Sequence, residues 1–441
     1  MRKLVAAIDL GTSKVVCLVG EKTDAGIKII ALSEAPSKGI SRGEVVNIQS
    51  VLDSLKPVVQ NVENAIGETI KEVFVGIAGQ NIRCEQGADK TIRVNPDEMI
   101  TSEEIESITR KMYGYHCNEG EEVIHAVPQS YNIDDFMGIT APVGMIGKQI
   151  ASSFKLFIGK KTSGQLRSNV ISRSNLKLKE LILEPMASAK AVLEEDEKEI
   201  GVALLDIGGG TSDLIIIQDN IVRHTAVIPF GGNCITEDLK YGCGVSSKIA
   251  ELLKIEKGSC MSSIAPDKKV RINGVGGRED KEITLTYLAE IIESRVEEIL
   301  EAAVYEIEKS GYKDKINAGL VITGGTSLLP NLRRFARLVT GFETRLAVPH
   351  ITFSDNEVPV GKPSLSTAVG LVVMGFEKME KEGKSFSGTT AKFTKEKAAE
   401  KAAVKEETEK PKDEEQKPRK SWRDFFSSIK SDNELFTDNE A

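Results

Sequence analysis

The 441-residue sequence predicts an α/β protein of two related halves, with a subdomain inserted into the first and a charged linker and amphipathic helix after the second. Three observations carry this. The stretches "AAIDLGTSK", from Ala6, and "ALLDIGGGTSD", from Ala203, share one pattern. An apolar run ends in Asp, an apolar residue and Gly, Thr-Ser follows, and the chain returns to strand-like sequence, "VVCLVG" or "LIIIQ". This predicts the duplication of one hairpin. A third glycine turn, in "GLVITGGTSLLPNL", again follows an apolar strand and leads into the helical pattern "NLRRFARLV". From about Lys384 the composition shifts to a charged, apolar-poor stretch.

Each segment has its own warrant. The 40% hydrophobic content suffices for ordinary cores in two or more domains. A formal charge of −8 argues against broad nucleic-acid binding, because no domain-scale excess of Lys and Arg can displace counterions from phosphates. Between the two Asp turns, residues 84 to about 164 alternate strand-like runs ("EVIHAVPQSYNI", "SSFKLFIG") with a helix at "TSEEIESITRKM", where Thr101 and Glu104 fit a capping box. That predicts the inserted subdomain. "LTYLAEIIESRVEEILEAAVYEIEKSG" keeps apolar residues at helical spacing and ends at Gly311, predicting a long amphipathic helix with a glycine C-cap. "KFTKEKAAEKAAVKEETEKPKDEEQKPRK" lacks the apolar surface to offset ordering entropy, so a disordered linker is expected, with transient helix open to its Ala/Glu/Lys part.

Compartment follows from what the sequence lacks. Cys17, Cys84, Cys117, Cys234, Cys243 and Cys260 have no C-x-x-C spacing, and "MRKLVAAIDLGTSK" reaches an Asp too early for a secretory signal. A reducing cytoplasm is expected, with the cysteines as small buried hydrophobes. No run of about eighteen apolar residues is present, so any membrane contact is expected to be peripheral.

A glycine turn directly after a buried strand lets backbone N–H groups approach a phosphate, and two such turns from duplicated halves can hold a polyphosphate from opposite sides. Asp9 and Asp206 are expected to face the space between them, where carboxylates suit Mg²⁺ held through its waters. Thr12, Ser13, Thr211 and Ser212 can add hydrogen bonds, and Lys14 a point charge at the β- or γ-phosphate. Each turn alone also reads as an ordinary hairpin with Asp capping the bend; the set of three favours a composite site. A P-loop is excluded, because Phe154 stands where the first glycine before "GKKT" belongs. "GVGG" at Gly274 follows no convincing strand and opens no helix, so no dinucleotide fingerprint is read. His116, His125, His224 and His350 are dispersed, which favours core or surface roles over metal ligation.

Taken together, "AAIDLGTSK", "LLDIGGGTSDL" and "VITGGTSLLPNL" resemble the phosphate-1, phosphate-2 and adenosine motifs of the superfamily of actin, sugar kinases and heat-shock chaperone ATPases. "LILEPMASAKAVL" and "KPSLSTAVGL" resemble its two connecting helices. Within it, "EVIHAVPQSYNIDD", "GITAPVGMIGKQI" and "VIPFGGNCITEDL" resemble the bacterial cell-division FtsA family, over residues 1 to about 380. The resemblance implies an actin-like (ribonuclease H-like, duplicated) fold. Subdomain 1A would comprise residues 1–83, 165–200 and 356–383, and an inserted subdomain 1C, in place of actin's 1B, residues 84–164. Subdomain 2A would comprise 201–240 and 315–355, and 2B residues 241–314.

It also implies ATP and Mg²⁺ as cofactors. Carried over by position, Asp9, Gly11, Thr12, Ser13 and Lys14 match the first phosphate loop, and Asp206, Gly208, Gly209, Gly210 and Thr211 the second. Gly231 and Gly232 match the turn before the adenine-side helix, Glu251 and Lys254 the contacts to ribose and adenine, and Gly324, Gly325 and Thr326 the floor under the base. Glu184 matches the position that orients the attacking water; a helix-start residue before Pro185 is the alternative. Binding is better supported than hydrolysis, and at most slow ATPase activity is expected. Arg295 matches an arginine that receives the acidic C-terminal tail of FtsZ, with an intrahelical pair to Glu298 as the alternative.

Residues 384–418 would be the linker, 419–431 an amphipathic membrane-targeting helix and 432–441 an acidic tail. On a helix, Trp422, Phe425, Phe426 and Ile429 fall within roughly one third of the circumference, with Arg419, Lys420, Arg423 and Lys430 beside or opposite them. That suits an interfacial helix on anionic lipid; docking onto the body or into a partner's groove also stays open. Whether Leu435 and Phe436 extend the helix is open too. Four apolar side chains hold such a helix by only a few kcal/mol, so multiplication by polymerisation is needed for firm attachment. The expected function is to polymerise at the cytoplasmic face of the inner membrane at the division site, anchor FtsZ filaments there and help recruit later division proteins. The alternative is a small-molecule kinase of the same superfamily, which would need an acceptor pocket with a catalytic base. A peptide-binding chaperone is disfavoured, because a linker follows the ATPase unit.

Overall fold

The structure, a computed structural model, describes residues 2–273, 279–350, 358–381, 383, 389–390 and 436–438. The first half opens with an antiparallel meander of β1 (Leu4–Leu10), β2 (Lys14–Thr23) and β3 (Gly26–Pro36). Every residue of β1 is buried, as the apolar run Leu4–Ile8 requires of a strand covered on both faces, and Asp9 is buried with it. After the short pair β4 (Ile40–Ser41) and β5 (Glu44–Val45), helix α1 (Ile48–Ile66) packs on the meander, capped by Asn47 at its start and by Gly67 at its end. β6 (Thr69–Ile70) then leads to β7 (Glu72–Ile77), which lies parallel to β1.

The insert comprises β8 (Arg83–Ile92), α2 (Ser102–Lys111), β9 (Glu121–Ile133), β10 (Phe136–Ile139) and β11 (Gln149–Lys160), in the sheet order β10-β9-β11-β8. Its own small core includes Phe154, Leu156, Ile133 and Ile150. The capping box of α2 is present: Glu104 N donates to Thr101 Oγ1 and Thr101 N to Glu104 Oε2. The chain returns through α3 (Lys161–Arg173) to β12 (Lys177–Leu183), giving a first sheet of order β12-β7-β1-β2-β3.

After α4 (Glu184–Val192) and α5 (Glu195–Ile200), the second half repeats the plan with β13 (Val202–Ile207), β14 (Ser212–Gln218) and β15 (Ile221–Ile228). Helices α6 (Gly232–Cys243) and α7 (Ser247–Lys257), the hairpin β16 (Lys269–Ile272) and β17 (Lys281–Thr284), and α8 (Leu285–Ser310) intervene before β18 (Leu320–Thr323), α9 (Leu332–Thr340) and β19 (Thr344–Leu346). The second sheet runs β15-β14-β13-β18-β19, so an antiparallel meander with two parallel strands on its far side occurs twice. Gly311 caps α8 in the left-handed conformation, as its sequence predicts.

α4 and α10 (Ser366–Lys381) lie between the two sheets, in one apolar core with Val5 and Ala7 of β1, Leu204 of β13 and Ile215 of β14. They cross so closely that a side chain at Gly370 would overlap the carbonyl of Ala187. This core joins the halves beneath the cleft.

The structure adds detail at three stretches read from the sequence. A four-residue strand, β16, precedes "GVGG" and pairs antiparallel with β17; Gly274, Gly276 and Gly277 themselves lie outside the described residues. Within the stretch read as linker, β20 (Thr389–Thr390) pairs with β6; two threonines suit an extended edge pairing. Phe436 belongs to β21 (Phe436–Asp438), which adds antiparallel to β16, so it does not continue a helix; an open strand edge supplies the backbone partners. Residues 419–431, with Trp422, Arg423, Phe425, Phe426 and Ile429, lie outside the described residues.

Candidate functional site

The three glycine turns converge on one cavity of about 450 Å³ between the halves, within the range usual for small-molecule sites. Its lining includes Asp9, Gly11, Thr12, Ser13 and Lys14 from the first half, and Asp206, Gly208, Gly209, Gly210 and Thr211 from the second. Gly232, Glu251, Lys254, Gly324, Gly325, Thr326 and Glu184 complete the set brought together from the sequence. The two phosphate-loop candidates touch across the cleft. A side chain at Gly209 would overlap Ser13, and one at Gly210 would overlap Thr12, so only glycine admits this approach.

Local geometry refines the roles. Thr12 Oγ1 accepts a hydrogen bond from Gly43 N at 3.0 Å, and Lys14 Nζ donates to Glu34 at 2.7 Å and Ser364 at 3.1 Å. Ser212 is turned away: buried on β14, it donates to Phe230 O at 2.8 Å, because its register points it to the other face. Gly231 does not line the cavity; it packs against the backbone of Gly208 and Gly209, behind the turn. Lys254 is buried and donates to Gly232 O at 2.9 Å, to Thr236 Oγ1 at 2.8 Å and to Glu251 at 2.7 Å, so these two α7 residues are locked together at the cavity wall.

The acids define the electrostatics. Burial, partly offset by Lys14 and reinforced by Asp206, pushes Asp9 up to about 6. Burial also raises Asp206, although Ser188 Oγ and Thr367 Oγ1 donate to its Oδ2 at 2.6 and 3.3 Å and oppose the shift. Glu184, the first residue of α4, is raised well above the usual range by burial and by the charges of Asp9 and Asp213.

Sequence reasoning passed over Asp213, which lines the same cavity and is raised well above its ordinary value by burial and by Asp206 and Asp9. Its Oδ1 is buried and has no hydrogen-bond partner among the described residues. The signal was in the motif: Asp206 and Asp213 are direct partners across the β13–β14 hairpin and so share a face, whereas Asp9 faces Val16 in the first half. A cluster of oxygens that repel one another, one of them unpartnered, fits a hard divalent cation.

Arg167 was also missed. Fully buried on α3, it donates to Gly43 O and Ala78 O, and its positive charge favours the ionised forms of Glu184 and Asp9, opposing the upward push of their burial. Nothing in its helical segment marked it; its role is tertiary.

The remaining candidates lie elsewhere. Arg295 on α8 does bond Glu298, but it also makes a two-pronged pair with Asp238 of α6, Nε to Oδ2 at 2.6 Å and Nη2 to Oδ1 at 3.1 Å. That partner comes from a neighbouring helix, beyond the reach of intrahelical reasoning. His125 and His224 are held below the usual imidazole range chiefly by burial, and burial pushes the thiols of Cys17 and Cys260 up to about 12. Among the described residues no group of three His, Cys, Asp or Glu encloses a metal directly, and no helix is long and apolar enough to cross a membrane.

Comparison with known proteins places this architecture. A family profile described as cell division protein FtsA matches residues 203–370, and one described as the SHS2 domain inserted in FTSA matches residues 79–158. The cell division protein FtsA of Pseudomonas aeruginosa is 34% identical over 394 residues, covering 89% of this chain and 94% of the relative. The proteins of the same name from Neisseria meningitidis and Escherichia coli K12 are 35% and 32% identical; these matches cover 84% and 85% of this chain, and 90% and 91% of the relatives. Among solved structures, a type IV pilus PilM–PilN complex superposes with a TM-score of 0.61 at 13% identity, covering 84% of this chain and 98% of that one. The MamK double helical filament gives 0.50 at 12% identity, covering 85% and 98%. The duplicated sheets, the inserted four-stranded subdomain and relatives matched along most of their length make this chain a member of the FtsA family of cell-division proteins, with the actin-like fold.

Proposed function

We propose that the chain binds Mg·ATP in the cleft, assembles into filaments when ATP is bound, and attaches FtsZ filaments to the cytoplasmic face of the membrane through residues 419–431, helping to recruit later division proteins. The observation that carries this reading is the meeting of three glycine turns and the carboxylates Asp9, Asp206 and Asp213 on one cavity, in a chain of the FtsA family. The turns offer backbone N–H groups to phosphates from both halves, so bound nucleotide favours the closed cleft. Asp9, Asp206 and Asp213, which line the cavity together, would hold Mg²⁺ through its waters. The ion would neutralise charge on the phosphates. Lys14 would leave Glu34 to meet the γ-phosphate, and Glu184 would orient a water.

Filament formation is favoured by exposed apolar side chains on the insert, Phe136, Met137, Val143 and Ile146, and on the second half, Leu338, Leu346 and Val348. The Arg295–Asp238 pair gives an FtsZ tail carboxylate an arginine already oriented by one acid, which the tail must displace or share. The test is direct. Titration with a fluorescent ATP analogue at fixed Mg²⁺ should give saturable binding, weakened at least about tenfold in Asp206→Ala, the scale of a lost charged contact. Equal affinity in the variant would remove Asp206 from the site, and rapid phosphoryl transfer from ATP to a sugar would sink the scaffold reading.

A further inference from the structure

The insert does more than project from the first half. β12 is an edge strand of the first sheet and β15 an edge strand of the second, and β9 of the insert touches both. At one point on β9, His125 Nε2 accepts a hydrogen bond from Leu183 N at 3.1 Å, at the last residue of β12. Leu183 is followed at once by Glu184, the first residue of α4, which passes under the cleft to the second half. Four residues along β9, Gln129 Nε2 donates to Val222 O of β15 at 2.9 Å, and its Oε1 accepts from Arg223 Nη1 at 3.2 Å. Arg223 is held in turn by Asp219 at 3.1 Å. One short stretch of strand therefore grips both halves through side chains.

We propose that β9 is a strut that sets the position of Glu184 according to the closure of the two halves, with His125 and Gln129 as its positioning residues. This rests on the reading of the cleft as an ATP site and of Glu184 as the carboxylate that orients water. Burial keeps His125 neutral, lowering it to about 4, so its Nε2 stays an acceptor throughout the physiological range. When the halves close, β15 carries Gln129, the β9 strand moves with it, and His125 draws on the Ile182–Leu183 peptide, one residue before Glu184. Strain also runs outward: β9 pairs along its length with β11 and at its end with β10, so closure shifts the exposed side chains Phe136 and Met137 on β10. The insert thereby couples nucleotide occupancy to the surface that it offers to other molecules.

Amide hydrogen exchange at Leu183, together with single-turnover ATP hydrolysis, decides the matter in the full chain. In the wild type, a non-hydrolysable ATP analogue should slow exchange at Leu183 relative to the apo protein. His125→Leu should lose that protection and slow turnover roughly tenfold, on the scale of a slightly misplaced catalytic group, with ATP affinity within about twofold. His125→Gln, which keeps an acceptor, should restore most of both. Gln129→Ala should keep the apo protection of Leu183 but lose its response to nucleotide. Wild-type exchange that ignores nucleotide, a Gln129→Ala variant that responds like the wild type, or unchanged turnover in His125→Leu would each overturn the strut. Failure of the underlying reading looks different: the wild type would not bind Mg·ATP, or Glu184→Gln would hydrolyse it as fast as the wild type.

Discussion

Replacing Asp9 by Asn should stabilise the protein in the absence of metal and nucleotide. The carboxyl is buried in the cleft, beside Asp206, and its value rises from the ordinary 3.8 to about 6. For an acid whose folded value lies above its unfolded one, the folded state binds the extra proton, so stability is greatest below about 3.8 and is lost as pH rises through about 6. At pH 7.5 the full difference applies: 6 − 3.8, at about 1.4 kcal/mol per tenfold, is about 3 kcal/mol as an upper bound. About half of this remains at pH 5, where the folded acid is mostly protonated and the unfolded one is not. Asparagine removes the charge but keeps the volume, at the cost of an amide that needs partners, so a net gain of about 1–2 kcal/mol and a rise in Tm of roughly 1–3 °C are expected in EDTA at pH 7.5. Thermal denaturation of wild type and Asp9→Asn at pH 7.5 and pH 5 should show that gap shrinking on acidification. With Mg·ATP present the order should reverse, because the wild type, with all three carboxylates, holds the ion more tightly. An Asp9→Asn protein no more stable than wild type in EDTA, or a gap that ignores pH, would refute the account of the acid cluster.

Other perturbations probe separate parts of the argument. Gly370→Ala places a methyl group against the Ala187 carbonyl where α4 and α10 cross, so a loss of about 1–3 kcal/mol in urea denaturation is expected, together with weaker ATP binding through a displaced cleft. Glu184→Gln should leave Mg·ATP affinity nearly unchanged while lowering single-turnover hydrolysis by roughly 10²-fold, on the scale of a lost acid–base group. Deleting residues 419–431 should abolish co-sedimentation with anionic liposomes and leave ATP binding intact; sedimentation at the wild-type level, with filament pelleting controlled, would remove the anchor. Arg295→Ala should weaken binding of an FtsZ C-terminal peptide by about 1.5–3 kcal/mol, the scale of a charged hydrogen bond, and an unchanged affinity measured by fluorescence anisotropy would place that partner elsewhere.

The parts legible in the sequence are those with a local physical signature. β1, β13 and β18 are apolar runs that end in glycine turns, and this pattern marks a buried strand followed by a tight turn wherever the chain later folds. The capping box at Thr101 and the glycine after α8 are equally local. What stayed hidden is tertiary. Arg167 is an ordinary arginine on an unremarkable helix until folding buries it against Gly43 and Ala78. Asp238 reaches Arg295 from another helix, and the insert's contact with the second half joins residues far apart in sequence. Asp213 lies between these cases: it stands in the quoted motif, and counting register across the turn opposes it to Asp206. Ser212 was misassigned for the matching reason, since the residue next along a strand points to the opposite face.

In the proposed function, nucleotide in the cleft drives assembly at a lipid surface where FtsZ is held. Negative-stain electron microscopy of the full chain on anionic lipid monolayers, with Mg·ATP or with EDTA and with or without FtsZ, measures all three together. The account predicts lipid-bound filaments that require Mg·ATP and recruit FtsZ polymers to the monolayer. Filaments that form equally in EDTA, or FtsZ polymers that stay in solution beside a fully coated monolayer, would contradict it.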